Sequence, residues 1–413
     1  MNDLSLILVL AALAGAYMAW NVGANDVANA MGTSVGSKAV TLRQALMIAA
    51  VFELAGAVLV GGNVTNTIRK GIVDPMVFQD DPSALMFGML AALLAAALWL
   101  NLSTLLGMPV STTHSIVGGV VGFGVLIGGA DAVVWPKMIA IVASWIISPL
   151  VGGAMAFLLF RYITRTILED EHPARAIKKR APVFVFLVVF MLVLSLIYKG
   201  LKVVEFPPSQ AILLALGAGV AGALLSLRPI ARIQPDRARS RRGRLKMVEA
   251  VFRPLQILTA CYVAFAHGSN DVANAVGPLA AVLAVHETGN VLMNVPVPVW
   301  VLVLGGVGIV LGLFTYGYKV IETIGRKITE LTPSRGFTAE FATATTILLG
   351  SKLGMPLSTT HVLVGSVMGV GFARGLGAIN MRMVRQIMAS WLITVPATAV
   401  ATVLLYPLIK AVL

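Results

Sequence analysis

The sequence predicts an all-α polytopic membrane protein of about twelve transmembrane segments, in two inverted-topology repeats with helical hairpins or broken helices at the membrane midplane. Three observations lead there. Hydrophobic residues make up 58% of the 413-residue chain and charged residues 12%, with a mean hydropathy of +0.90. Soluble domains carry about 25% charged residues, so this chain has too few to cover a water-facing surface. Apolar runs of span length recur from end to end, and the polar motifs that interrupt them occur twice. A soluble enzyme, a nucleic-acid-binding domain and a disordered chain are thereby excluded.

The runs lie near residues 4–20, 44–62, 84–106, 107–129, 137–160, 182–199, 207–227, 255–270, 298–318, 336–352, 353–373 and 384–409. The first leads directly into a polar motif and lacks the basic flank of a signal peptide, so it reads as a retained span. The pairs around 84–129 and 336–373 are marginal for full crossings and are candidates for re-entrant hairpins. Lys and Arg outnumber Asp and Glu by 31 to 18. In a soluble chain that excess would suggest a nucleic-acid partner. Here it clusters between apolar runs, as the positive-inside rule prefers.

Six basic residues fall in 161–180 and nine in 228–253. Two spans separate these loops, so both are expected to be cytoplasmic, with both termini outside and the Lys/Arg-free stretch 286–298 also outside. Arg326, Lys327, Arg335, Arg382 and Arg385 then fall inside, and Arg69, Lys70, Lys137, Lys352 and Arg374 are exceptions. The 228–253 loop reads as a solvated linker in preference to a site for anionic membrane lipid. The lone Cys261 rules out an internal disulfide.

Self-similarity is the most informative feature. Gly-Ala-Asn-Asp-Val-Ala-Asn-Ala at 23–30 returns as Gly-Ser-Asn-Asp-Val-Ala-Asn-Ala at 268–275. Leu-Gly-Met-Pro-Val-Ser-Thr-Thr-His at 106–114 returns as Leu-Gly-Met-Pro-Leu-Ser-Thr-Thr-His at 353–361, and Ala-Ser-Trp at 143–145 returns at 389–391. Matches in one order at nearly constant offset mean two homologous halves. Seven spans separate equivalent positions, an odd number, so the halves are expected upside down relative to each other. The division this implies is 1–160 for the first repeat, 161–254 for two connecting spans with basic loops, and 255–413 for the second repeat.

Asn25, Asp26 and Asn29 fall close enough on a helix to form one patch of oxygen ligands, repeated by Asn270, Asp271 and Asn274. A carboxylate beside amide oxygens suits a hard cation, and an intramembrane Asp is costly enough to demand a reason. Gly23, Gly32 and Gly36 flank the first patch, where an unwound helix would release carbonyls as further ligands. In the second motif, Gly and Pro end one helix and Ser111-Thr112-Thr113-His114 or Ser358-Thr359-Thr360-His361 opens another. A helix starting inside the membrane aims free N–H groups at whatever faces it, and three hydroxyls beside them suit a tetrahedral oxyanion. No Lys or Arg lies within either motif, so bound cations must balance the anion's charge.

His114 and His361 are candidate proton relays or, equally, packing residues. Glu53 and Glu340 are lone acids in apolar runs that do not align at the repeat offset. They are candidates for protonation or a further cation, with an interfacial helix-end acid as the plainer account of Glu340. Trp145 and Trp391 occupy equivalent spans and read as packing residues.

The whole chain resembles the inorganic phosphate transporter family of sodium- and proton-coupled carriers. The resemblance rests on residues 23–30, 268–275, 107–114 and 354–361, together with Phe52-Glu53 and Thr67-Ile68-Arg69-Lys70-Gly71. It implies twelve membrane segments with outside termini, inverted repeats, two hairpins carrying the Ser-Thr-Thr stretches, and often a dimer. It implies phosphate contacts at Ser111, Thr112, Thr113, Ser358, Thr359 and Thr360, and cation contacts at Asn25, Asp26, Asn29, Asn270, Asp271 and Asn274. Glu53 and Glu340 match acids the family needs for transport. The large central insertions of many eukaryotic members are absent.

The expectation is therefore a non-enzymatic secondary carrier of the plasma membrane. It imports phosphate with Na+ as coupling ion, needs no organic cofactor, and works by one repeat rocking against the other. Proton coupling, with carriage of a metal–phosphate complex, is the nearest rival. A sulfate permease of the same family and a passive anion channel follow.

Overall fold

The computed structural model describes residues 3–108, 110–199, 207–232, 241–291, 296–327, 330–375 and 379–413. Pro109, Arg237, Arg239 and the stretch 292–295 lie outside the described residues, as do the side chains of Arg69, Lys70, Arg241, Arg242, Arg326 and Lys327. The described chain is helical. Its helices are α1 (Asp3–Gly36), α2 (Leu42–Val60), α3 (Gly62–Lys70), α4 (Pro82–Leu105), α5 (Thr112–Phe123), α6 (Trp135–Ile163), α7 (Pro173–Lys199), α8 (Pro208–Arg232), α9 (Arg241–Thr288), α10 (Val299–Lys327), α11 (Pro333–Lys352), α12 (Thr359–Arg374) and α13 (Met381–Val412). Among the described residues, nine helical stretches are long and apolar enough to cross a bilayer. The protein is an integral membrane protein.

Each apolar run lies on a helix, with two instructive differences. α1 and α9, at 34 and 48 residues, continue through the Asn-Asp motifs that ended the apolar pattern. The polar side chains there are buried against one another, so the helix has no reason to stop where the hydropathy does. The nine-residue α3, polar in composition, was not expected. Residue 254, the expected division before the second repeat, lies inside α9.

The expected unwinding around Gly23, Gly32 and Gly36 does not occur: α1 is helical throughout Asp3–Gly36. Gly23 has a different use. A Cβ there would run into the Ile309 carbonyl, and one at its repeat mate Gly268 would run into the Glu53 carbonyl. These glycines let α1 pack tightly on α10, and α9 on α2. We expect Gly268→Ala to lower stability by about 1–3 kcal/mol, because backbone rather than a movable side chain stands in the way. The thermal-unfolding midpoint in detergent reads this out. Gly217→Ala, at a position with open space around it, should not lower the midpoint.

The two marginal pairs are helix–turn–helix hairpins, α4–α5 and α11–α12. Each turn passes through a left-handed glycine, Gly107 at φ 66° and Gly354 at φ 68°. The chain then extends through Ser111 and Ser358 before the next helix begins. Packing interlaces the halves. α1 packs on α10, α2 on α9, α5 on α13 and α12 on α6, so each crossing joins a helix that begins within 1–160 to one that ends within 255–413. α7 and α8 pair with each other, and α7 also lies against α9.

Candidate functional site

The helix packing brings the two Asn-Asp motifs and both hairpin tips into one buried centre. Asp26, on α1, is 1% exposed, and Asp271, on α9, is 0% exposed. Thr112 Oγ1 donates to Asp26 Oδ2 at 2.6 Å, and its repeat mate Thr359 Oγ1 donates to Asp271 Oδ2 at 2.7 Å. Asn29 Nδ2 and Thr360 Oγ1 donate to Asp26 Oδ1 at 2.7 and 3.0 Å. Asn270 Nδ2 donates to Asp271 Oδ1 at 2.6 Å.

The tips reach across to each other. Thr113 Oγ1 donates to the Leu357 carbonyl at 3.0 Å, and Thr360 Oγ1 lies 3.5 Å from the matching Val110 carbonyl. The motif amides follow the same crossing. Asn29 Nδ2 also reaches Thr360 Oγ1 at 2.8 Å, and Asn274 Nδ2 reaches Thr112 Oγ1 at 3.0 Å and Thr113 Oγ1 at 3.3 Å. Asn29 of the first half and Asn274 of the second thus each hold the hairpin tip of the other.

Two acceptors in this centre are left over. Asn29 Oδ1 and Asn274 Oδ1 are buried with no hydrogen-bond partner among the described residues. An amide oxygen stranded in a dry interior costs free energy, and here it happens at both repeat-equivalent positions beside a carboxylate. Asp26, His267 and Asp271 also each offer an atom within 4.8 Å of the others. Paired carboxylate and amide oxygens form a donor set suited to a hard monovalent or divalent cation.

The expected ligand patch divides by role. Asn25 turns to the first hairpin, donating to Thr104 Oγ1 at 2.9 Å and accepting from the Val110 amide at 3.2 Å. Asn270 donates to the Leu357 carbonyl at 2.9 Å and accepts from Ser351, the repeat mate of Thr104, at 3.2 Å. Both fasten hairpins, while Asp26, Asn29, Asp271 and Asn274 face the centre. Ser111 and Ser358 are N-caps, accepting from the His114 and His361 amides at 3.2 and 3.3 Å. The first amides of α5 and α12 have no carbonyl one turn back to accept from them.

His114 and His361 pack as an aromatic cluster. Their ring centroids are 4.4 Å apart, and they lie 3.7 Å from Trp145 and 3.4 Å from Trp391 respectively. His361 Nδ1 lies 3.0 Å from the Trp145 carbonyl, a structural tie between α12 and α6.

The acids off the repeat are buried as well. Glu340 is 0% exposed and lies away from the ends of α11. Thr33 and Ser34 donate to its Oε1 at 2.6 Å each, Gln256 donates to Oε1 at 3.0 Å, and Thr259 donates to Oε2 at 2.6 Å. Glu53 Oε2 lies 2.7 Å from His267 Nδ1, and His267 Nε2 lies 2.8 Å from Asp271 Oδ2. His267 was not singled out from the sequence. Its position one turn before Asp271 was the available signal, in a repeat whose first copy has Val22 there.

Three comparisons set the chain beside known proteins. A model described as the phosphate transporter family matches residues 22–402. Inorganic phosphate transporter 2-1, chloroplastic, of Arabidopsis thaliana is 47% identical over 95% of this chain and 70% of its own length. A solved structure titled the sodium-dependent phosphate transporter is 45% identical and covers 99% of this chain and 100% of its own, with a TM-score of 0.93. A family match over residues 22–402 and a relative of 47% identity over nearly the whole chain show that the chain belongs to the phosphate transporter family.

Proposed function

We propose that this protein imports inorganic phosphate by sodium symport through alternating access. One observation carries the reading. Asp26 and Asp271 each accept from a threonine of their own half's tip, and Asn29 and Asn274, whose amide oxygens have no partner among the described residues, each donate to the tip of the opposite half. The phosphate sits between the tips. The first amides of α5 and α12 and the hydroxyls of Thr112, Thr113, Thr359 and Thr360 donate to it, and Ser111 and Ser358 hold the helix starts in place. In the structure those threonines donate to the two aspartates and to the Leu357 carbonyl. Binding exchanges these acceptors for phosphate oxygens.

Sodium ions at Asp26 and Asp271 take up the carboxylate charge that the threonines release. They also lower the cost of bringing an anion into a low-dielectric site. Neither ligand is well accommodated alone, and that is the source of coupling. Each net positive charge moved inward draws about 2.3 kcal/mol per 100 mV from the membrane potential. The tight crossings at Gly23 and Gly268 tie the halves together, which supports motion of mixed helix bundles and not of one intact repeat against the other. The basic loops face the cytoplasm and both termini face outside in the plasma membrane, as the charge distribution favours.

The test is uptake of radiolabelled phosphate into proteoliposomes with sodium and pH gradients imposed separately. Sodium-driven, saturable uptake that sulfate does not compete with is the expected result. Equal uptake with choline in place of sodium at fixed pH removes sodium from the mechanism. Uptake that follows the pH gradient alone selects proton coupling.

A further inference from the structure

α6 and α12 pack on each other through glycine. A Cβ at Gly365 would run into the Pro149 carbonyl, and one at Gly369 into the Gly153 carbonyl. The two contacts advance together along both chains, so these helices run in the same direction. α13 runs the other way. Gly371 lies against Ile379, just before α13 begins, whereas His361, ten residues earlier on α12, stacks on Trp391 with ring centroids 3.4 Å apart. Gly153, Ala154, Gly365 and Gly369 leave the outer side of the α6–α12 pair shallow, and a groove of about 410 Å³ lies between that pair and α13. Its walls run from Pro149 to Phe157, from Val364 to Phe372 and from Val384 to Trp391, and no charged residue lines it among the described residues. At 1.5 Å per residue each wall is about 10–12 Å long, against about 15 Å for the hydrocarbon half of a bilayer.

One end of the groove is basic. On α6 the stripe Leu150, Ala154, Phe157 continues at helical spacing to Arg161, and on α13 Arg385 follows Val384 at the same end. Both arginines are exposed, and neither forms an ion pair among the described residues. Arg374, by contrast, already lies 3.4 Å from Glu330. We propose that the groove binds one anionic phospholipid, its acyl chain lying along α6, α12 and α13 and its headgroup phosphate held by Arg161 and Arg385. An apolar groove stays dry, so in a bilayer a hydrocarbon chain fills it. The guanidinium groups then select an anionic headgroup over a zwitterionic one, which carries a positive charge of its own. A second copy of this chain seated face to face would bring two such pairs of like charge to one rim, so a lipid is the better occupant. The inner end of the chain rests on Trp391 and, through it, on His361 in the first turn of α12, beside the second hairpin tip. The inference concerns the lipid alone and stands independently of the sodium-coupled reading.

The test is native mass spectrometry of the full chain in detergent, titrated with phosphatidylglycerol or with phosphatidylcholine. Phosphatidylglycerol should bind about thirtyfold more tightly, the preference that two basic residues supply near an anionic headgroup. Replacing both arginines, Arg161→Gln with Arg385→Gln, should reduce that preference to less than about threefold. Ala154→Trp keeps both arginines but fills the groove, and it should weaken phosphatidylglycerol binding by at least about tenfold. Arg228→Gln with Arg232→Gln, on α8, should leave binding unchanged. All five replaced side chains are exposed, so the variants should fold, and thermal-unfolding midpoints check this. Wild-type phosphatidylglycerol binding in Ala154→Trp overturns the proposal. So does an equal loss from the α8 pair, because that would be diffuse attraction to positive charge. If Ala154→Trp instead turns a dimer into a monomer on size exclusion and keeps the lipid preference, the groove belongs to a second copy and the lipid site is refuted.

Discussion

Asp26→Asn and Asp271→Asn are each expected to cut sodium-driven phosphate uptake by about two orders of magnitude while folded protein is still obtained. Asparagine has nearly the same shape as aspartate and keeps one oxygen, so Thr112 Oγ1 or Thr359 Oγ1 retains an acceptor. What disappears is the charge. A buried cation that loses its only full negative partner loses about 3 kcal/mol or more, which is roughly a 150-fold change in affinity. Phosphate affinity should fall with it, because the anion depends on the cation for neutralisation. The two variants are not expected to behave identically. Asp26→Asn removes the one acid that Thr112 and Thr360 hold, whereas Asp271→Asn leaves His267 one turn earlier on the same helix, with Glu53 against its far side. Initial uptake rates over a range of sodium, beside size-exclusion profiles in detergent, check both statements. Wild-type uptake in either variant removes the role assigned to that carboxylate.

Much of the architecture was legible because hydrophobic period and repetition are local signals. The runs, the two hairpins and the Ser caps follow from apolar length, Gly-Met-Pro breaks and Ser-Thr-Thr starts, and the helices agree with them. The continuity of α1 through its Asn-Asp motif was not legible. Hydropathy registers Asn25 and Asp26 as interruptions, while their partners, Thr104 and Thr112, lie far along the chain. Gly23 misled for a related reason. A glycine beside polar residues suggests unwinding, but only the three-dimensional packing reveals that Ile309 leaves no space for a Cβ.

At the site, repetition identified the symmetric residues and was silent on the asymmetric ones. His267 has Val22 as its mate, so a search for paired features passes over it. The same is true of Gln256 and Thr259, which have alanines, Ala11 and Ala14, at the matching positions. The symmetric residues form the two central aspartates and their threonines. The asymmetric ones hold the extra acids in place.

Glu340 makes that last point testable through stability. Its carboxylate accepts from Thr33 and Ser34 on α1, from Gln256 and Thr259 on α9, and sits on α11, so one side chain fastens three helices drawn from both halves. Ser37 extends the network by donating to Gln256 Oε1 at 2.6 Å. Glu340→Leu fills similar space but removes every acceptor, leaving four buried donors to find others. At about 1–3 kcal/mol for each donor left unsatisfied, with some recovered by hydroxyls turning to backbone carbonyls, the net loss should be at least about 3 kcal/mol. Glu340→Gln keeps one oxygen and should fall between. Thermal unfolding in detergent should therefore rank wild type above Gln and Gln above Leu, and uptake should follow the same order. A leucine variant that melts with the wild type would mean the donors have other partners, and the three helices would then be free to separate during the transport cycle. If the ranking holds, the Glu340 carboxylate is what fastens these parts of α1, α9 and α11 together.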